Sequence, residues 1–346
     1  MKNTLIHLAV ALLLGGSAAS IQANPVHYPA NPDIAKGKKL VLIASDHEYR
    51  SEETIPALAR ILAKHHGFDC TVLFGINPDT GEIEAGRSNI PGLEALDSAD
   101  GLVIFARFQE LPDDQMKHID AYLNRAGPVV ALRTSTHAFK YAKDSTSPFR
   151  KYDFQYAGDD YLKGFGHQVQ GQTWVGHYGK NHQQSTRITI VPEKKDHPIL
   201  KGVSDIWVQA GGYNAEPADD WNILTMAQPL MSMEKNGVPD ETKPPMASEW
   251  TRTYQGKEGK TGRSFTSLYG ASEDLLNDGY RRMLVNAVYW SLGLEDAIDP
   301  QSSIAFVGPY QPNTFSGKGY ARGIKPSAYD GFESPIPAHN NISAAK

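Results

Sequence analysis

The sequence predicts an α/β protein built on a doubly wound, mostly parallel sheet in a three-layer sandwich. Two observations carry this. Four short runs, KKLVLIAS (38–45), CTVLFG (70–75), GLVIFAR (101–107) and PVVALR (128–133), are almost wholly apolar, as strands covered on both faces must be. Stretches with helical spacing stand between most of them, and right-handed crossovers then place helices on both faces.

The elements follow in order. A lead rich in Pro and Asn (24–37) precedes the first strand, which ends in DHEYR. Ser51 is expected to cap the next helix, where Ile55, Leu58, Ala59, Ile61 and Leu62 recur at helical spacing until Gly67 stops it. CTVLFG is the second strand. LDSAD introduces the third, GLVIFAR, and DDQMKHIDAYLNRAG (113–127) is the helix behind it. PVVALR is the fourth. TRITIVP (186–192), DIWVQAGGY (205–213) and WNILTMAQ (221–228) read as strands of a less regular middle, and KEGKTGRSFTSLYG (257–270) as a turn into a late strand. Leu275, Leu276, Tyr280, Met283, Leu284, Ala287, Val288 and Trp290 give the stripe of a last helix, closed at Gly293. From 299 the chain turns rich in Pro, Gly, Ser and Asn. It is expected to wrap the body through Phe306, Tyr310, Phe315 and Tyr320, with the last ten residues loose.

No repeat or linker divides the chain. The expected division is a signal peptide (1–23), the lead (24–37), one α/β domain (38–298) and a tail (299–346). Behind Lys2 stands LIHLAVALLLGG, too short to span a bilayer, and small residues follow it. This pattern predicts secretory export with cleavage after Ala19 or Ala23, so the mature protein is expected in the periplasm or outside the cell. A net charge of −5 argues against nucleic acid or acidic membrane as partner. Cys70 is the single cysteine, so no intramolecular disulfide can form; in a strand it reads as a small buried hydrophobe.

Ligands of open α/β sheets bind beyond the carboxyl ends of the strands. Three strand ends converge there. The first delivers Asp46 and His47, the third Arg107, and the fourth, VVALRTSTHAF (129–139), delivers Arg133 and His137. Each has an ordinary use as well: Asp46 as a helix cap, Arg107 as an ion-pair partner, His47 as a hydrogen-bonded loop residue. A second cluster lies in GFGHQVQGQTWVGHYGKNH (164–182), where His167, His177 and His182 stand among Trp174 and Tyr178. Three histidines can hold zinc with a position open, yet spacings of ten and five match no short zinc motif. Aromatic rings among Gly, Gln and Asn also suit the face of a sugar. No GxSxG elbow and no Gly-rich phosphate loop occurs.

LVLIASDHEYRSEETIPALARIL, VVALRTSTHAF, GQTWVGHYGKNH, KDHPILKGV, PMASEWTRTYQGKEGKTGRSF and LLNDGYRRMLVNAVYWSLGLE, taken in this order, resemble the ThuA-like (trehalose utilisation) family. The resemblance runs from about residue 38 to 295, and the tail looks like that of an exported subgroup. It implies the flavodoxin-like fold of class I glutamine amidotransferases. Those enzymes carry a cysteine at the strand-four elbow, where this chain has Arg133, so glutaminase activity is not expected. Many members carry a histidine there, and an acid before the tyrosine that corresponds to Tyr213; this chain reads QAGGYNA, so that acid's role does not carry over. The positions that match are His137, Trp174, His177, His197, Tyr213, Trp250 and Arg252, with His197 in a turn-forming HPILKGV. Members commonly accompany sugar dehydrogenases that make 3-keto sugars, which implies work on oxidised glycosides.

The functional expectation joins the two. A ketone acidifies the neighbouring C–H, so isomerisation or elimination needs a base and a group to hold the enolate oxygen. His137 is expected as the base, His177 or His47 as partner acid, and Arg133 with Arg107 as oxyanion holders. Trp174, Tyr178 and Tyr213 would form the sugar platform, with Asp46 beside them. The partner is then a small-molecule carbohydrate, with homo-oligomer formation left open. Three alternatives stand: a sugar-binding protein without catalysis, a zinc-dependent hydrolase using His167, His177 and His182, and a structural partner in an exported complex.

Overall fold

The computed structural model describes residues 25–317 and 319–338; the expected signal peptide and residues 339–346 lie outside them. The strands are β1 (Val26–Tyr28), β2 (Lys39–Ser45), β3 (Asp69–Phe74), β4 (Gly101–Ala106), β5 (Val129–Leu132), β6 (His177–Tyr178), β7 (Thr186–Ile190), β8 (Ile206–Val208), β9 (Gly212–Tyr213), β10 (Asn222–Pro229), β11 (Met246–Gln255) and β12 (Thr261–Ser267). The helices are α1 (Ser51–His66), α2 (Asp113–Asn124) and α3 (Asp278–Ser291). Among the described residues no helix is long and apolar enough to cross a membrane.

Ten strands form one sheet in the order β1-β3-β2-β4-β5-β12-β11-β10-β7-β8. β3, β2, β4, β5 and β12 run parallel, whereas β12-β11-β10-β7-β8 and β1-β3 are antiparallel. The expected mostly parallel sheet is therefore parallel only through five central strands. The physical reason lies between 186 and 267, where the strands are joined by reversing connections without a crossover helix.

Alternation builds the layers. Leu40, Leu42 and Ala44 face the same core as Ile55, Leu58 and Ile61 of α1 and Met283, Leu284 and Val288 of α3. Val41 and Ile43 face the other core, with Met116, Ile119 and Leu123 of α2. Burying one such side chain contributes about 1.5–3 kcal/mol, so neither face can be left uncovered. α1 ends as its sequence requires: Gly67 adopts φ 70° and its N–H reaches Ala63 O. Its start differs from expectation. The cap position is Arg50 at φ 62°, and no side chain caps the helix there. Ser51 instead binds back to the main chain of Asp46, donating to its O at 3.1 Å and accepting from its N at 2.9 Å.

β11, which the strand assignment above leaves out, is the longest strand. Glu249 in it is fully buried and accepts from Ser248 Oγ at 2.7 Å, Ser267 Oγ at 2.8 Å and Thr225 Oγ1. An inner strand that carries a carboxylate and hydroxyls lacks the apolar signature. Residues 299–317 and 319–338 lie over α1 and α3 as a strap. Arg60 donates to Ser334 O at 2.6 Å and Tyr329 O at 3.2 Å, and Phe306 stacks on Tyr310 at 4.3 Å.

What this positions is an edge. The chain passes from β2 to β3 on one side and then to β4 on the other, so the carboxyl ends of β2 and β4 diverge there and leave a crevice.

Candidate active site

Three main-chain bends mark the crevice. Arg50 after β2, Phe108 after β4 and Arg133 after β5 have φ of 62°, 53° and 42°, a left-handed region that non-glycine residues occupy at a cost of order 1–3 kcal/mol. The loops are pinned together: Phe108 N donates to His137 O at 3.0 Å and Gln109 N to Ala138 O at 2.7 Å. A single π-helical turn, Gly166–Gln170, packs on the Arg133–His137 turn from the other side. Gly166 is required there, since a Cβ would stand 2.0 Å from Thr136 O. Gln170 Nε2 donates to Ser135 O at 2.7 Å and fixes the join.

His137 lies beside these loops, 2% exposed. Its ring meets Phe108 at 5.0 Å, Trp174 at 5.5 Å, Tyr213 at 5.6 Å and Phe154 at 6.1 Å. Thr136 Oγ1 lies 3.1 Å from Nδ1, so Nε2 is the nitrogen left for a substrate. Burial holds the imidazole well below the ordinary histidine range, and the positive charges of Arg107 and Arg133 push it the same way. His137 is therefore neutral at neutral pH. His177 is exposed and packed on Tyr213 at 5.5 Å and Trp174 at 5.7 Å. Burial, then Arg133, lowers its pKa too. A neutral His177 is a poor proton donor, which counts against its expected role as partner acid.

Arg107 spans the crevice. Its Nη1 lies 2.7 Å from Glu48 Oε2 and 3.3 Å from His47 Nε2, and its guanidinium lies over the Phe108 ring at 4.8 Å. The His47 ring rests against Gly86, where a Cβ would come within 3.2 Å of Cγ. So His47, Arg107, His137, Trp174, His177 and Tyr213 do come together, from β2, β4, β5, the segment after the π turn, and β6 with β9.

The other expected site residues do not join them. Arg133 is fully buried and donates from Nη1 to Gly211 O at 2.8 Å and Leu268 O at 3.2 Å. Its guanidinium lies over Tyr49 at 3.5 Å and Tyr213 at 5.1 Å. It cannot touch a substrate, and its contribution is a fixed charge behind the aromatic wall. Asp274 fixes the acceptors, since its carboxylate receives the N–H groups of Gln209, Ala210, Gly270 and Ala271. Asp46 is fully buried and accepts from Glu48 N and Tyr49 N, so it shapes the turn rather than binding substrate. Tyr178, next to His177 on β6, points the other way and donates to Pro244 O.

The three histidines offered for zinc are separated. The His182 ring stacks on Phe315 at 4.4 Å, His177 packs on Tyr213, and His167 has Lys163, Arg252 and Asp220 for charged neighbours. Among the described residues no group of three or more His, Cys, Asp or Glu is arranged to hold a metal. Of the remaining matched positions, Trp250 stacks on Trp221 at 3.9 Å and donates to Gln170 O, Arg252 donates to His167 O and Gln168 O, and His197 Nδ1 accepts from Ile199 N. All three support loops. Phe108, Phe154, Tyr49, Glu48 and Phe315 shape the site without having been singled out from sequence for it. Of these, Phe108, Glu48 and Tyr49 carried a signal, their place at strand ends.

No protein-family model matches the chain, and no curated protein matches it. Several solved structures do. A thuA-like protein from Parabacteroides merdae is 14% identical with a TM-score of 0.42, covering 74% of this chain and 89% of that one. A cytoplasmic protein from Salmonella typhimurium is 12% identical with a TM-score of 0.38, covering 75% and 98%. An exo-beta-1,4-mannosidase from Opitutaceae bacterium strain TAV5 is 12% identical with a TM-score of 0.32, covering 74% of this chain and 36% of that one. Each is a distant likeness, and nothing about substrate or reaction follows from it.

Proposed function

We propose that this protein acts on a keto-sugar or keto-glycoside by removing a proton from the carbon next to the carbonyl. The observation that carries the reading is His137: a neutral imidazole set among the rings of Phe108, Phe154, Trp174 and Tyr213, its Nδ1 held by Thr136 and its Nε2 without a hydrogen bond among the described residues. A neutral imidazole is the form that can accept a proton. The substrate class comes from the motif resemblance; the reaction class comes from the site.

The chemistry balances within the site. Nε2 takes the proton, the C–H electron pair moves into a carbon–carbon double bond, and the carbonyl oxygen becomes an enolate. The Arg107 guanidinium, whose charge bears on His137, takes that oxygen, and the buried charge of Arg133 adds to the field. The imidazolium then returns its proton either to the same carbon, which exchanges or epimerises it, or, where that carbon bears a hydroxyl, to the former carbonyl carbon while the hydroxyl proton passes to the enolate oxygen, which moves the ketone along the sugar. Where a glycosidic oxygen stands β to the carbonyl, that C–O bond breaks instead, and the proton goes to the leaving oxygen. Trp174 lies against His137 and the exposed His177 against Trp174, so their rings offer the sugar a surface to stack on. Export through the N-terminal segment would place this work outside the cytoplasm.

The test is turnover of a 3-keto-glycoside, followed as enone or released alcohol, with wild type and His137→Gln side by side. The reading predicts turnover in the first and its loss in the second, with sugar binding kept. Equal turnover would remove His137 from the mechanism. A second reading, sugar binding without reaction, is favoured by the deep seat of Arg133; wild-type binding with no turnover or exchange would establish it.

A further inference from the structure

The strap meets the site at one point. Four consecutive residues, 313–316, are each engaged with the turn that carries Glu48 and Tyr49 or with the elements beside it. Asn313 donates from N at 2.8 Å and from Nδ2 at 2.9 Å to the two carboxylate oxygens of Glu53, and its O accepts from Ser272 Oγ at 2.8 Å. Thr314 O accepts from Arg50 Nε at 3.2 Å. Ser316 N donates to Glu48 O at 2.9 Å. Between them Phe315, 1% exposed, packs on Tyr49 at 5.0 Å and His182 at 4.4 Å, with the Arg133 guanidinium 5.9 Å away.

Arg107 in the site and Arg133 behind it are therefore both set partly by the strap. Phe315 backs the Tyr49 ring on which Arg133 lies, and Ser316 holds the main chain of Glu48, whose carboxylate holds Arg107. An exposed tail that served only to cover α1 would not need a ring here; its other anchors, Arg60 to Ser334 and Tyr28 Oη to Tyr329 O, already fasten it.

We propose that Phe315 is a positioning residue of the His137 centre, through which the C-terminal strap holds Arg133 against Tyr49 and Tyr213. The inference rests on the acid–base reading of His137. Phe315 touches no substrate; it keeps the guanidinium at a fixed distance from the imidazole. Remove the ring, and Arg133 gains room and water enters, which screens its charge. The charged or titratable groups that bear on His137 are Arg107, Arg133, His177 and His47, and the variant loosens the second of them.

The experiment uses the full-length chain with Phe315→Ala, Phe315→Leu and, as a control in the same strap, Phe332→Leu, which packs on Tyr28 away from the site. Three quantities are read: NMR titration of the His137 imidazole, kcat and KM with a 3-keto-glycoside, and thermal unfolding. Phe315→Ala is expected to move protonation of His137 up by about one pH unit and to lower kcat about tenfold or more with KM little changed. Phe315→Leu falls between, and Phe332→Leu lowers only the melting temperature. If the alanine variant does not fold, the leucine variant decides. Wild-type titration and kcat in folded Phe315 variants would overturn the proposal, as would equal changes in Phe332→Leu. If no variant, wild type included, turns over the sugar, a shifted His137 titration still supports the positioning role while the catalytic reading fails.

Discussion

The two halves of the sheet do different work. The parallel half, β3-β2-β4-β5-β12, ends in residues with chemistry: His47, Glu48, Arg107 and His137 all leave its carboxyl edge. The antiparallel half and the segments beside it supply surroundings: Trp174 and His177 above, Tyr213 at the side, Gly211 O as acceptor for Arg133, and Trp250 under the π turn. The difference follows from how strands end. Parallel strands all release their loops at one edge, where the loops can converge, whereas antiparallel strands alternate ends and build walls. If this division is right, changes at the parallel edge alter rate, and changes from the antiparallel side alter binding or stability.

The sharpest break would come at His137. His137→Gln is expected to lower kcat by about 10²–10⁴-fold while binding of a keto-glycoside survives; steady-state kinetics beside calorimetry separates the two. Arg107→Ala should cost about a hundredfold in kcat, as the loss of an oxyanion donor does. Trp174→Ala, from the other region, should weaken sugar binding roughly tenfold and leave kcat at saturation within a few-fold. A kcat loss for Trp174→Ala as large as that of His137→Gln would erase the distinction between the halves.

The pH dependence sharpens it further. In the proposed reaction His137 can accept a proton only when neutral, and burial with the charges of Arg107 and Arg133 keeps it neutral well below the ordinary histidine range. The kcat/KM profile should therefore stay flat through neutrality on its acid side and fall only well under pH 6.5. The smallest effect belongs to the strap. Glu52 and Glu53 are buried side by side at the start of α1, and burial raises both carboxyl pKa values, with the charge of Glu53 adding to the rise of Glu52 and that of Glu273 to the rise of Glu53. The folded state then holds protons that the unfolded chain releases above the ordinary carboxylate range, so their contribution to stability is lost as pH rises. Glu52→Gln should flatten the decline of melting temperature between mildly acidic and mildly alkaline pH, with little effect on kcat.

How much of this the sequence reveals follows the same division. β2, β3, β4 and β5 are legible because most of their positions are buried and almost all of those are apolar. His47, Arg107 and His137 are legible because they stand where such runs stop. β11 is not, since Glu249, Thr251 and Ser248 are buried polar residues satisfied by neighbours on β10 and β12 that only the folded sheet provides. Arg133 illustrates a different limit. Its position at a strand end is visible, but its direction depends on φ 42° and on two carbonyls more than seventy residues away in sequence. Asp46 shows the reverse: a short acidic side chain beside a helix start has main-chain N–H groups within reach, and here it takes them. Phe154 and Phe315 carry no local signal, because a ring in a loop becomes a wall only when distant strands bring His137 or Arg133 against it.

The account turns on proton removal by His137, and solvent exchange reads that step without requiring net conversion. A 3-keto-glycoside is incubated in D2O with wild type, His137→Gln and Trp174→Ala, and the C–H beside the carbonyl is followed by NMR. The account predicts deuterium at that carbon with wild type, slower incorporation with Trp174→Ala that recovers at high sugar concentration, and only the uncatalysed rate with His137→Gln. Incorporation by His137→Gln at the wild-type rate, or none by wild type while the sugar is bound, would contradict it.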